Sequence, residues 1–115
     1  MIPSMIHKDL TPEHWFSFSL FEQLANVGCD ISRTIRYKNE NRLDDSKAAF
    51  ERALELLSLT ILDPKLSRGG LKELVRTREA LIDHFMFSNE YQTTDEQWHN
   101  YFFSFNYAAA IQRGR

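Results

Sequence analysis

One cysteine, three prolines and four glycines are all that the 115 residues hold of these types. A single thiol, Cys29, excludes an intramolecular disulfide and every zinc pattern built on several cysteines. It fits a reducing cytoplasm. Scarce proline and glycine leave long stretches free for helices. No apolar run approaches the ~20 residues of a membrane span, and residues 1–10 lack the apolar centre of a secretory signal. A charge excess of one sign is also missing. The net charge is −2 and the isoelectric point about 6.1, so no global basic field invites nucleic acid. Basic groups gather only locally, at Arg33, Arg36, Lys38 and Arg42 and at Lys65, Arg68, Lys72, Arg76 and Arg78. These clusters lie near helix ends, where a solvated face and dipole pairing account for them. Strand patterns bounded by hairpin turns are absent. So is a phosphate loop: Gly69-Gly70 reads as a turn with no Lys-Ser/Thr after it.

What is present is helical periodicity. Thr11-Pro12-Glu13 is a helix start, with Thr as N-cap and Pro at the first position. The first predicted helix covers residues 12–38, with Phe16, Leu20, Leu24, Val27, Ile31 and Ile35 on one stripe. Gly28 interrupts it at a cost of about 1 kcal/mol relative to Ala, which points to the close approach of a neighbouring helix. The second, capped by Asp44 or Asp45, runs to about residue 62 on Phe50, Leu54, Leu57 and Ile61. Asp63-Pro64 stops it. The third covers residues 71–87. Thr94-Asp95-Glu96-Gln97 is a capping box opening the fourth, which runs to about residue 111. Four helices with short connectors predict an all-α, up-down four-helix bundle. Residues 1–10 would be a flexible arm and residues 11–115 one domain.

The fourth helix is apolar on two sides. Trp98, Tyr101, Phe102, Phe105, Ala108 and Ala109 belong to the core. Phe103, Tyr107, Ala110 and Ile111 point the other way. On the second helix, Leu56 and Leu59 also sit away from the stripe. An apolar second face needs a cover. These six residues are therefore the expected interface of a homodimer.

One residue interrupts the third stripe. Arg78 falls among Leu71, Leu74, Val75, Leu81, Ile82 and Phe85. An unpaired guanidinium in a core is expensive, so Arg78 must meet a carboxylate, carbonyls, a second subunit or a ligand. His84 follows six residues later, ~120° around a straight helix, so the two cannot serve one small site on an unbroken helix. A structural reading gives Arg78 a buried ion pair and leaves His84 on the surface. On that reading Arg78→Ala costs roughly 3–5 kcal/mol and His84→Ala little. A functional reading makes Arg78 a phosphate-binding group and His84 an acid or base. Metal chemistry finds no support: no two histidines are four apart, and Glu96-Gln97-Trp98-His99 supplies the Glu-x-x-His motif once where a di-metal bundle needs two. No cofactor is expected.

The segments Glu22-Gln23-Leu24-Ala25-Asn26-Val27-Gly28, Ala48-Ala49-Phe50-Glu51-Arg52-Ala53-Leu54-Glu55-Leu56 and Asn89-Glu90-Tyr91-Gln92-Thr93-Thr94-Asp95-Glu96 resemble a group of small uncharacterised bacterial helical proteins. That resemblance implies a helical bundle and no particular activity. Arg78-Glu79-Ala80-Leu81-Ile82-Asp83-His84 more distantly resembles the Arg-x4–6-His motif of the HEPN superfamily. That likeness implies a dimeric, metal-independent ribonuclease or a toxin–antitoxin component. Arg78 would hold the scissile phosphate and His84 would assist attack of the 2′-hydroxyl. Glu79 departs from the pattern, because Asn is common there and a carboxylate opposes a phosphate. The primary expectation is binding or homo-oligomeric assembly rather than catalysis, with RNA a partner only under the ribonuclease alternative.

Overall fold

A computed structural model describes residues 10–114. Residues 1–9, most of the expected arm, lie outside the described residues. Leu10 does not belong to an arm, since it packs against the core. The described residues form five helices and no strand: α1 (Pro12–Phe16), α2 (Leu20–Asn39), α3 (Leu43–Ile61), α4 (Arg68–Met86) and α5 (Asp95–Arg113).

The first predicted helix is two. Ser19 accepts from the Glu22 N–H at 3.1 Å, and Glu22 reaches back to the Ser19 N–H at 3.3 Å. This capping box starts a new helix inside what apolar spacing reads as one. The break frees α1 to lie against α3. Trp15 is buried there and donates Nε1–H to Thr60 Oγ1 at 3.0 Å. A second link crosses at the same end. Gln23 donates Nε2–H to Phe18 O at 3.0 Å and to Asp63 Oδ2 at 2.7 Å. Lys65 ties Asp63 to Phe16 O through its ammonium. Burial raises the Asp63 pKa, but the bonds from Gln23 and Lys65 outweigh it and hold the carboxyl below its ordinary value.

The other helix starts, α3 excepted, follow hydroxyl caps. Ser67 caps α4 by accepting from the Gly70 N–H at 3.0 Å, so Gly69-Gly70 is the first turn of that helix and not a turn before it. Thr94 and Gln97 form the capping box of α5, as expected. α3 starts at Leu43 after Arg42, and Asp44 and Asp45 lie in its first turn rather than at its cap. There their charge complements the helix dipole.

The core gathers Trp15 from α1, Leu24, Val27, Ile31 and Ile35 from α2, Phe50 and Leu57 from α3, Leu74 and Leu81 from α4, and Trp98 and Phe102 from α5. α2 packs most closely, against α3 on one side and α5 on the other. Gly28 explains the second contact, because a Cβ there would sit 2.6 Å from Phe102 Cβ. The close approach expected at Gly28 is therefore made by α5.

Leu56 and Leu59 correct an expectation. They are 5% and 1% exposed, inside the core, and offer no surface to a partner. Their cover comes from within the chain, where α1, α2 and α4 all pack on α3. Among the described residues no helix is long and apolar enough to cross a membrane.

Candidate functional site

On α4 the side chains with least exposure are Leu74, Thr77 and Leu81. Their mean direction lies about 70° from Arg78 at 100° per residue. Arg78 therefore stands on the flank, in the row that holds the exposed Leu71 and Val75 and the half-buried Ile82. Its Nε–H donates to Ser58 Oγ on α3 at 3.2 Å. Among the described residues no carboxylate forms an ion pair with it. Arg78 thus needs no buried counter-ion, since it is not a core residue. The face turned because Thr77 and His84, both polar, point inward. Thr77 Oγ1 lies 3.2 Å from the Tyr101 hydroxyl, which itself donates to Glu73 Oε2 at 2.8 Å. Burial, together with the Glu73 carboxylate, pushes the Tyr101 pKa up, with the Thr77 contact opposing.

His84 is not a surface histidine. Its side chain is 7% exposed and bonded at both nitrogens. Nε2 lies 2.8 Å from Asp95 Oδ1 and Nδ1 lies 2.9 Å from Thr93 Oγ1. A carboxylate only accepts, so Nε2 carries the proton in this pair. Thr93 Oγ1 also accepts Trp98 Nε1–H at 3.1 Å and stands 3.2 Å from Asn89 Oδ1. Asn89, at a positive φ of 56°, folds the connector back so that its amide meets Thr93 O and its carbonyl meets the Thr93 N–H. The same Asp95 oxygen, Oδ1, also accepts from Lys38 Nζ at 2.8 Å, and that ammonium lies 5.3 Å from the centre of the Phe85 ring. Burial raises the Asp95 pKa, but the bonds from Lys38 and His84 prevail and hold it below its ordinary value.

The chain Asp95–His84–Thr93 has the order of a hydroxyl-activating relay. Here the hydroxyl is occupied by an indole N–H and an amide carbonyl as well as by the imidazole. The physical product is a latch joining the ends of α2 and α4 to the start of α5. Arg78 and His84, the two candidate catalytic residues, are not brought together. One reaches α3 and the other reaches the start of α5.

Of the six expected interface residues, Phe103, Tyr107, Ala110 and Ile111 are exposed, Phe103 at 66% and Tyr107 at 64%. They form one stripe on the side of α5 opposite Trp98, Phe102 and Ala109. Residues 100–112 contain no charged side chain. Beside this stripe, a cleft of about 190 Å³ between α2 and α5 is lined by Cys29, Ser32, His99 and Phe103, among others. His99 Nδ1 stands 3.5 Å from Ser32 Oγ. Cys29 and His99 share that lining without a hydrogen bond, and sequence spacing could not pair two residues seventy apart.

Among the described residues no group of three or more His, Cys, Asp or Glu is placed to hold a metal ion. Compared with family models, curated proteins and solved structures, the chain gives no match in any of the three.

Proposed function

We propose that the protein acts by binding through self-assembly, two copies meeting across the outer face of α5 in a homodimer, and not by catalysis. The observation that carries this reading is the exposed stripe of Phe103, Tyr107, Ala110 and Ile111 within a stretch free of charge. A two-fold interface sets a patch against itself, so any charge near the axis meets its own sign. A patch without charge escapes that repulsion, and aromatic residues are the type enriched in interface centres. Phe21, exposed at the start of α2 with its ring centre 6.3 Å from that of Phe105, extends the apolar surface.

The scaffold behind the stripe reads as an up-down four-helix bundle of α2 to α5, with α1 as an added cover. Cross-links between successive helices support it by running in opposite orders. Thr34 with Ser46 and Gln23 with Asp63 do so for the first pair, and His84 with Asp95 and Glu73 with Tyr101 for the last. The one exposed thiol, Cys29, suits a reducing compartment such as the cytoplasm.

Sedimentation velocity tests the reading. The native chain should sediment as a dimer at micromolar concentration. The double variant Phe103→Asp, Tyr107→Asp should sediment as a monomer with unchanged helicity, because neither side chain supports the core. A native chain that is monomeric throughout the micromolar range sinks the proposal.

A further inference from the structure

The end of the molecule that carries the Lys38–Asp95 pair also opens into a cavity of about 300 Å³, between the end of α2, the start of α3 and the end of α4. Its apolar lining is Phe50, Phe85, Leu43 and Met86. Phe50 is buried and its ring centre lies 5.0 Å from that of Phe85, which makes a firm aromatic floor. Leu43 and Met86 stand at the rim, each at least half exposed. The polar lining is Thr34, Ser46, Lys38 and Lys47.

Hydrogen bonds already made decide what that polar lining can offer. Ser46 donates its hydroxyl proton to Thr34 O at 2.8 Å, and Thr34 donates its own to Asp30 O at 2.8 Å. Neither has a proton left to give. The remaining donors are the two ammonium groups. Lys38 gives one proton to Asp95 and keeps two. Lys47 has no ion pair among the described residues. The two cations less the Asp95 carboxylate leave one positive charge at the cavity.

We infer that this cavity binds a small monocarboxylic acid with an apolar body. A ring or short chain lies on Phe50 and Phe85 between Leu43 and Met86, and the carboxylate meets Lys47 and the free protons of Lys38. Size agrees: a dry cavity of ~150 Å³ takes benzene, and twice that volume takes a ring with a short chain. A single negative charge cancels the surplus. A phosphate dianion exceeds it and finds no guanidinium fork. An amine is repelled, and a neutral molecule leaves Lys47 without a partner.

Amide chemical shifts of the full chain, titrated with phenylpropionate, phenylpropanol and phenylpropylamine, test this. The acid should shift Leu43, Lys47 and Met86 at millimolar concentration and bind roughly threefold to fivefold tighter than the alcohol, the range of a partly exposed ion pair. The amine should shift nothing there. Lys47→Met should reduce the acid to the affinity of the alcohol and leave the alcohol unchanged. Met86→Trp, at an exposed position, should fill the cavity and abolish both. Equal binding of acid and amine, an acid affinity indifferent to Lys47→Met, or no shift with any of the three overturns the proposal.

Discussion

α3 and α5 both carry apolar residues on two sides, and the fold treats them in opposite ways. On α3 the second side, Leu56 and Leu59, lies in the core, and α1 shelters this helix with Trp15 against Thr60. On α5 the second side, Phe103 to Ile111, stays in solvent. A second apolar face is thus a demand for a cover and does not say where the cover comes from. Three residues decide it for α3. The break at Ser17, Phe18 and Ser19 lets α1 leave the line of α2. Had the helix continued, Trp15 would have stayed in the line of α2 and lost its place against Thr60.

The largest effect should come from removing that cover. Trp15→Ala should cost about 3–5 kcal/mol, as large aromatic truncations in cores do, read as a lower midpoint in urea. Binding of a hydrophobic dye should rise in the same variant as α3 is uncovered. Trp15→Phe keeps the ring and loses only the Thr60 bond, so it should cost nearer ~1 kcal/mol. A Trp15→Ala loss below that would mean α1 is not the cover, and the contrast with α5 would fall.

Which of these features could be read in the chain follows from how local their causes are. The Thr94–Gln97 box and the Gly28 approach are local or nearly so, and both stand where the sequence puts them. The Ser19–Glu22 box was equally local and was masked by the regular spacing of Phe16, Leu20 and Leu24. The face of α4 was out of reach for a different reason. Thr77 and His84 are drawn inward by Tyr101, Thr93 and Asp95, partners on the connector and on α5. Apolar periodicity counts such residues as outward. It therefore placed Arg78 in the core and His84 on the surface, each the reverse of what the partners dictate. Asp63 and Gln23, forty residues apart, are the same case.

The second effect concerns how the start of α5 is fastened. His84→Ala should cost about 1–3 kcal/mol, the range for buried polar groups left without partners. It strips one bond from Asp95 and one from Thr93. Acid should reveal the same latch. Asp95 and Asp63 are both held below the ordinary value of 3.8, so the folded state binds fewer protons than the unfolded. Their contribution is complete above about pH 4 and is lost as pH falls through the depressed folded values. In His84→Ala, Asp95 keeps only Lys38, and the acid transition should begin at a higher pH than in the native chain. An acid limb identical in the two proteins would show that His84 does not hold Asp95.

A third, smaller loss tests the inner side of α5. Gly28→Ala adds a Cβ at 2.6 Å from Phe102 Cβ, an atom fixed to the backbone, so two helices must part. Overpacking costs typically ~1–3 kcal/mol. Better helix propensity returns about 1 kcal/mol. A net loss of up to about 2 kcal/mol in chemical denaturation would show that α5 is pressed onto α2 on one side while its other side is free. A stabilised variant would mean that the approach at Gly28 is loose.

The smallest effect falls on the residue that looked most constrained. Arg78→Ala was expected to cost roughly 3–5 kcal/mol by stranding a buried carboxylate. The guanidinium instead meets one hydroxyl, Ser58 Oγ at 3.2 Å, at a half-buried position between α3 and α4. One such bond contributes about 1 kcal/mol or less at a solvated site. His84→Ala should therefore be the more damaging of the two, the reverse of the order expected for a core arginine and a surface histidine. The same pair addresses ribonuclease chemistry. Cleavage of RNA by the native chain, lost in both variants while Arg78→Ala keeps its stability, would mean that a second copy completes a cleft around Arg78. Without cleavage, the mild loss in Arg78→Ala marks the side of α3 and α4 as an ordinary solvated flank, and α5 then carries the chain's charge-free apolar face.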